Sequence, residues 1–233
     1  AAARQYGVSL ATGRYIVFVD ADDCLLPDAL KILYESIEET EADEVFATYV
    51  NQYGVPSKSV ECGWNDPIKM IKELLARKAC FVCLWGIIYK KEILSGCIDI
   101  PRCICSGEDI LMQVKVLLKR PKVYMISSPV YQYTVDVPNN RRHTLETELY
   151  YDNYLSHMLA NEYALFKEEL LVHKMKTYEF FIKNKDYKVA RKYYESFKNE
   201  MLFKKSIYKD YLICKLPIFV SSLLLRLYRR YCL

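Results

Sequence analysis

The stretch GRYIVFVDADDCLLPDAL, Gly13 to Leu30, sets an apolar run from Tyr15 to Val19 directly in front of three carboxylates, Asp20, Asp22 and Asp23. The β-branched and aromatic content of that run predicts a short strand buried on both faces. Pro27 stands where a helix can start, and Leu30, Leu33, Tyr34 and Ile37 recur at helical spacing behind it. In an open α/β sheet ligands bind beyond the carboxyl ends of the strands, so these acids fall where a site belongs. Two carboxylates spaced D-x-D on a turn suit a hard divalent cation, Mg²⁺ or Mn²⁺, which in turn neutralises a diphosphate. The same acids also suit the positive end of the following helix, and from these residues alone both readings stand. A calcium loop of the EF-hand kind is excluded, because its sixth position needs Gly and Leu25 occupies it.

Outward from this stretch, strand and helix patterns alternate. Val45 to Val50 reads as a strand. Asp66 and Pro67 read as cap and first turn of a helix carrying Ile68, Ile71, Leu74 and Leu75. Phe81 to Tyr89 reads as a further strand, Ser106 opens a helix with Ile110, Leu111, Val114, Leu117 and Leu118, and Val123 to Val135 is extended. This alternation predicts an α/β layer architecture. From Thr144 the chain turns to long helical patterns rich in Tyr, Lys and Glu without glycine, so the expected division is an α/β part over 1–143 and a helical region over 144–233.

Composition narrows the function classes. Of 233 residues 52% are apolar and 27% charged, which excludes a disordered chain. The net charge of +4 is mild and the basic residues are dispersed, so no nucleic-acid partner is expected. Nine cysteines at irregular spacing, with no secretory signal ahead of them, predict a reduced cytosolic compartment rather than a disulfide framework. A zinc site from Cys80, Cys83, Cys103 and Cys105 is disfavoured, since Cys80 and Cys83 would face opposite sides of a strand. No glycine-rich phosphate loop is present, which argues against a phosphotransferase of the P-loop kind.

The run AAARQYGVSLATGRYIVFVDADD resembles the middle of the family-2 glycosyltransferases of the GT-A fold. An Ala-Arg-Asn-x-Gly helix and an Ala-x-Gly-x-Tyr-Ile turn there lead into an Asp-x-Asp-Asp motif. Ala3, Arg4, Gly7, Ala11, Gly13, Tyr15, Ile16 and Asp20 to Asp23 match, while Gln5 replaces the usual Asn. CLWGIIYKKEIL is similar to the family's Trp-x-Lys-Leu-Tyr-Lys-Arg segment, with Gly86 and Ile87 in place of a more polar pair. SGEDILMQVKVLLK resembles its Gly-Glu-Asp helix and PVYQYTV its Tyr-x-Tyr strand. The four blocks occur in the family's order and cover about Ala1 to Thr144.

The resemblance implies a GT-A-type, Rossmann-like mixed sheet, N-terminally truncated, followed by the helical C-terminal region. The family's domain normally begins with two or three βα units that carry the nucleobase and ribose pocket, and the resemblance starts after them, so the segment by itself is expected to bind nucleotide weakly. The implied activity is inverting, metal-dependent transfer of a sugar from a nucleotide-diphosphate donor to a hydroxyl of a lipid-linked or growing cell-surface glycan. A non-catalytic binding protein on the same scaffold is the alternative.

Each candidate residue receives a role from the resemblance. Asp22, with Asp20 or Asp23 beside it and Asp23 the expected choice, would hold the Mn²⁺ or Mg²⁺, and Asp20 would touch the donor's ribose. Asp109 of Gly107-Glu108-Asp109 would be the base that takes the proton of the acceptor hydroxyl. Glu108 would face substrate, Arg4 would face the diphosphate or else cap the preceding helix, and Trp85 would stack on a sugar unless it is core. By themselves, Glu108 and Asp109 read equally as acids in a first helical turn capped by Ser106. Arg141, Arg142 and His143 follow the turn-rich VPNN as a loop that suits a diphosphate and equally suits solvent. Finally, KLPIFVSSLLLRLYRRYCL, 215–233, has an apolar and hydroxyl run of about ten residues, half of what a spanning helix needs. Its arginines and tyrosines suit either a core helix docked on the helical region with solvated arginines or, as the favoured expectation, a surface anchor, which would place the protein peripherally on the inner face of a bacterial cytoplasmic membrane.

Overall fold

The computed structural model describes residues 2–57, 61–79, 81–104, 106–135, 143–201 and 203–231. They form two compact units, Ala1–Leu74 with Lys78–Arg141, and Leu75–Arg77 with Arg142–Leu233. The first is a mixed sheet with helices, the second entirely helical, so the fold is α/β with a helical C-terminal region.

In the first unit, α1 (Ala2–Leu10) precedes β1 (Tyr15–Val17), β2 (Cys24–Leu25), α2 (Ala29–Thr40) and β3 (Glu44–Asn51). Then come β4 (Gly63–Asn65), α3 (Pro67–Leu75), β5 (Ile87–Lys90), α4 (Glu108–Leu118) and β6 (Val123–Tyr133). The strand order is β1-β5-β3-β6-β2, with β4 also paired to β6. Among the described residues, β3 and β6 are the one pair of neighbouring strands that runs parallel. Their register shifts on either side of Thr48, which faces Pro129, a residue with no N–H for the ladder. The two halves of β6 thereby take different antiparallel partners, β4 at Val123 to Met125 and β2 at Tyr131 and Gln132.

The apolar face of α2 explains how the sheet is covered. Ala29, Leu33 and Ile37 are buried with Val45, Ile88, Val130 and Tyr131 in one cluster. Burying a side chain such as Leu33 or Ile37 is worth roughly 1.5–3 kcal/mol. Pro27 does not itself start the helix, because Asp28 follows in the left-handed region at φ 61 and α2 begins at Ala29. Asp66 does cap α3, accepting from the Ile68 N–H at 2.9 Å.

Three local expectations are corrected. Tyr15–Val17 is not buried on both faces, since only Ile16 is buried and β1 is an outer strand of the described sheet. The apolar run from Phe81 is not a strand until Ile87. Phe81, Leu84 and Trp85 are buried in a loop, where Trp85 makes an isolated bridge to Phe18, just past β1. Gly86, at φ +70, then turns the chain into β5, and its carbonyl accepts from the Ala47 N–H at 3.0 Å. Ser106 is not the cap of α4. Gly107 holds that position at φ 78 and no side chain caps the helix.

The helical unit comprises α5 (Leu145–Met158), α6 (Tyr163–Lys183), α7 (Tyr187–Phe197), α8 (Tyr208–Lys215) and α9 (Ile218–Tyr231). Thr144 and Thr147 form a capping box at the start of α5. The 21-residue α6 packs against the other four helices. Phe181, Tyr193 and Phe197 are fully buried there with Met175 and Ala190. A small polar cluster lies within, where Tyr193 donates to Asp152 at 2.5 Å and the His173 ring stacks under Tyr151. Burial pushes the Asp152 carboxyl up to about 6 and holds the His173 imidazole down at about 3. No helix among the described residues is long and apolar enough to cross a membrane.

Candidate functional site

The acidic turn after β1 and the first turn of α4 meet at one side chain. Arg4, on α1, donates from Nη2 to Asp20 and from Nη1 to Asp109, each at 2.7 Å. Its side chain is 19% exposed, as is that of Asp109, while Asp20 is 33% exposed. Burial works against the guanidinium charge. Asp109, then Asp20 and Glu108, more than offset it and raise the Arg4 pKa above its ordinary value. A guanidinium has five N–H donors, so two contacts to carboxylates leave others for a substrate. Glu108 points a buried Oε2 with no hydrogen-bond partner among the described residues.

The three acids of the turn are not equivalent. Asp23 is tied to the end of β6, where its Oδ2 accepts from the Tyr131 hydroxyl at 2.9 Å and its Oδ1 from the Thr134 N–H at 2.8 Å. The Tyr131 hydroxyl also accepts from the Asp20 N–H at 3.0 Å. The hydroxyl's pKa is raised, first by burial and then by its bond to Asp23. Thr134 Oγ1 donates to the Asp22 carbonyl at 2.6 Å, and Gln52 exchanges two amide hydrogen bonds with the Val135 backbone, fixing the next residue. The turn is therefore held at its backbone and at Asp23, whereas the Asp22 side chain is exposed and has no partner among the described residues.

No cluster of three or more His, Cys, Asp or Glu suited to a metal occurs among the described residues. A single open carboxylate is nonetheless the donor set that fits Mg²⁺ or Mn²⁺ arriving on phosphates, since such ions use one or two protein carboxylates and complete their shell from substrate and water. Asp22 fits that part. Asp23 fits it less well, its two oxygens being engaged by Tyr131 and Thr134. Six cysteines are described, and none of them is in a disulfide among the described residues. Cys80 and Cys105 lie outside the described residues.

Behind Asp109, α4 is fastened to the sheet by a fully buried polar chain. One turn along from Asp109, Gln113 donates to Glu44 of β3 at 3.1 Å and accepts from the Tyr89 hydroxyl of β5 at 2.9 Å. Burial pushes the Glu44 carboxyl up to about 8, and its Oε1 has no partner among the described residues. An open groove of about 670 Å³ runs past Arg4, lined by Gly7 and Val8 of α1 and by Ile16, Phe18 and Asp20.

The structure thus brings together Arg4, Asp20, Glu108 and Asp109, with Asp22 and Asp23 on the same turn. Trp85 is corrected. It is 9% exposed, stacked on Tyr131 at 4.5 Å and Tyr133 at 5.2 Å with Tyr49 edge-on, so its ring is spent on the core rather than offered to a sugar. His143 pairs with Glu148 at 2.7 Å. The remainder of the proposed diphosphate loop, Arg141 and Arg142 included, lies outside the described residues. Sequence reading missed Tyr131, Thr134 and Gln113. Only the Tyr-x-Tyr pattern of PVYQYTV pointed near them.

Residues 1–97 match the model of the family described as Glycosyl transferase family 2. Glycosyltransferase GlyA of Streptococcus pneumoniae serotype 4 is 26% identical over 147 residues, 58% of this chain and 21% of that protein. Glycosyltransferase GlyG of the same organism is 39% identical over 51 residues, 22% of this chain and 17% of that protein. Among solved structures, S. aureus TarS 1-349 in complex with UDP-GlcNAc superposes with a TM-score of 0.58 at 21% identity, covering 73% of this chain and 51% of that one. The chain spans about a fifth of the length of these curated relatives and about half of that solved chain. The sequence match, the acidic turn and the GT-A-like fold agree, and what this chain resembles over residues 1–97 is glycosyl transferase family 2.

Proposed function

We propose that this chain carries the diphosphate and base side of a glycosyltransferase site. It would move a sugar from a UDP-sugar or related nucleotide-diphosphate donor to a hydroxyl of a lipid-linked or growing cell-surface glycan, with inversion at the anomeric carbon. The observation that carries this reading is the convergence of Asp20 and Asp109 on Arg4, which puts the acidic turn and the α4 acid at one place. The donor class is supported by TarS, whose fold this chain shares and which is solved with UDP-GlcNAc.

In this reading the acceptor oxygen attacks the anomeric carbon as its bond to the diphosphate breaks. The hydroxyl proton passes to the Asp109 carboxylate, and the nucleoside diphosphate departs with the electron pair. Arg4 offsets the repulsion between Asp20 and Asp109 and keeps N–H donors for a phosphate oxygen. Asp22 would hold Mn²⁺ or Mg²⁺. When bound, that cation supplies positive charge to the leaving diphosphate. Glu108 adds negative charge beside Asp109, where an oxocarbenium-like sugar develops its opposite. An enzyme with such an acceptor works beside the membrane that carries it, so peripheral contact on the inner face of a bacterial cytoplasmic membrane belongs to the same reading.

The experiment is UDP release from UDP-GlcNAc and other UDP-sugars, with and without Mn²⁺, by protein comprising this chain. Asp109→Asn is expected to abolish release while leaving calorimetric donor binding in place. Undiminished release by that variant would remove Asp109 from the mechanism.

A further inference from the structure

Helix α9 is turned inside out relative to an ordinary surface helix. Its hydroxyls face inward. Ser221 is fully buried and donates to the Ile213 carbonyl at 2.7 Å, and Ser222 is buried with its Oγ 3.1 Å from the Tyr187 hydroxyl. Its large apolar side chains face out. Phe219, Leu223 and Leu227 follow one another at i, i+4 and i+8, with Val220 and Leu224 beside them, and all five are exposed, Phe219 by 79%. One helix face is thus a continuous apolar stripe that the helical unit does not cover, larger than the scattered single residues of a normal surface.

The charge around the stripe selects what covers it. Exposed Lys215 and Arg226 flank it, Arg229 and Arg230 follow in sequence, and from Tyr211 to Leu233 the chain has no Asp or Glu. A second copy laid on this face would bring cations against cations with no acid to pair them. A bilayer rich in anionic lipid offers an apolar interior to the leucines and phosphate groups to the cations at once. A helix of 14 residues is about 21 Å long, too short for a hydrocarbon core of about 30 Å. It therefore lies in the interface.

We propose that α9 docks this protein flat on an anionic bilayer through Phe219, Val220, Leu223, Leu224 and Leu227, with Lys215 and Arg226 at headgroup level. The inference rests on the transfer reading for its purpose alone, because it gives that reaction a surface on which to meet a lipid-linked acceptor.

The test is flotation of the 233-residue chain with vesicles of phosphatidylglycerol and phosphatidylcholine, and with vesicles of phosphatidylcholine alone, without any nucleotide sugar. A donor-release assay can fail while flotation succeeds, or the reverse, so the two readings fall separately. The chain is expected to float with the anionic vesicles, to float much less with the neutral ones, and to be released by high salt. Substituting Phe219, Leu223 and Leu227 by Ser is expected to weaken binding at least tenfold with the circular dichroism unchanged. Should that variant lose its fold, Lys215→Glu with Arg226→Glu decides, and is expected to abolish binding at low salt. An intact chain that ignores anionic vesicles, or a charge-reversed one that binds them as before, overturns the proposal. So does concentration-dependent self-association that the serine substitutions remove, which would assign the stripe to a second copy.

Discussion

Arg4 and Asp109, 105 positions apart in sequence, meet at 2.7 Å, and the other terminal nitrogen of the same guanidinium takes Asp20 at the same distance. One cation therefore joins α1, the turn after β1 and the start of α4.

Removing that cation leaves Asp20, Glu108 and Asp109 near one another without an offsetting charge. Arg4→Met is expected to cost about 2 kcal/mol in urea unfolding, below the 3–5 of a fully buried pair because these groups are partly exposed. Arg4→Lys keeps a charge but loses the fork that reaches both acids, and should recover only part of the loss. In a double-mutant cycle with Asp109→Asn the two costs should fall short of additivity by about 0.5 kcal/mol or more. Strict additivity would mean that the pair is not coupled.

Asp22 and Asp23 are neighbours with opposite expectations. Asp23→Ala removes the acceptor of the Tyr131 hydroxyl and the Thr134 N–H, and should lower stability by about 1–3 kcal/mol. Asp22→Ala touches only an exposed side chain and should melt like the parent while losing the response of donor turnover to Mn²⁺. Metal-dependent turnover that survives Asp22→Ala would take the cation away from Asp22.

Asp109→Asn is nearly isosteric and removes a proton acceptor, so turnover should drop by about a hundredfold or more with little change in donor affinity. A parallel loss of donor affinity and of fold would show that Asp109 serves α4 rather than the acceptor.

Glu44 predicts a pH dependence of stability. Its folded pKa is raised from 4.5 to about 8 by burial, so the native state keeps a proton that the unfolded chain gives up. Its stabilising proton is fully present below pH 4.5, and stability falls as pH rises toward 8. Between pH 4.5 and 7 the loss is roughly 3 kcal/mol from this group alone. Glu44→Gln keeps a carbonyl for Gln113 and removes the titration. Its advantage over the parent should grow from pH 5 to pH 8 in urea titrations, and a constant difference would refute the assignment.

What could be read in advance was local. The apolar run before Asp20 marked β1, and the Asp66-Pro67 pair marked the start of α3, because a strand's composition and a helix cap are both written within a few residues. Phe81 to Trp85 misled, since a buried loop and a buried strand share the same apolar composition, and the left-handed Gly86 is what separates them. At the site, the acids themselves were legible but their partition was not. Whether Asp22 or Asp23 stays open depends on Tyr131 and Thr134, more than a hundred residues away. The inward serines of α9 were likewise hidden, because the order SSLLLRL does not say which side of the helix meets the other helices.

The bond from the Thr134 amide to Asp23 makes one backbone proton a gauge of the whole turn. That amide lies just past the end of β6, where exchange with solvent would ordinarily be fast, and its protection comes from a carboxylate rather than from a ladder. Hydrogen exchange at this single position should therefore quicken when Asp23 is replaced by Ala. It should slow when a ligand closes on the turn, giving a spectroscopic readout of site order that needs no substrate turnover at all.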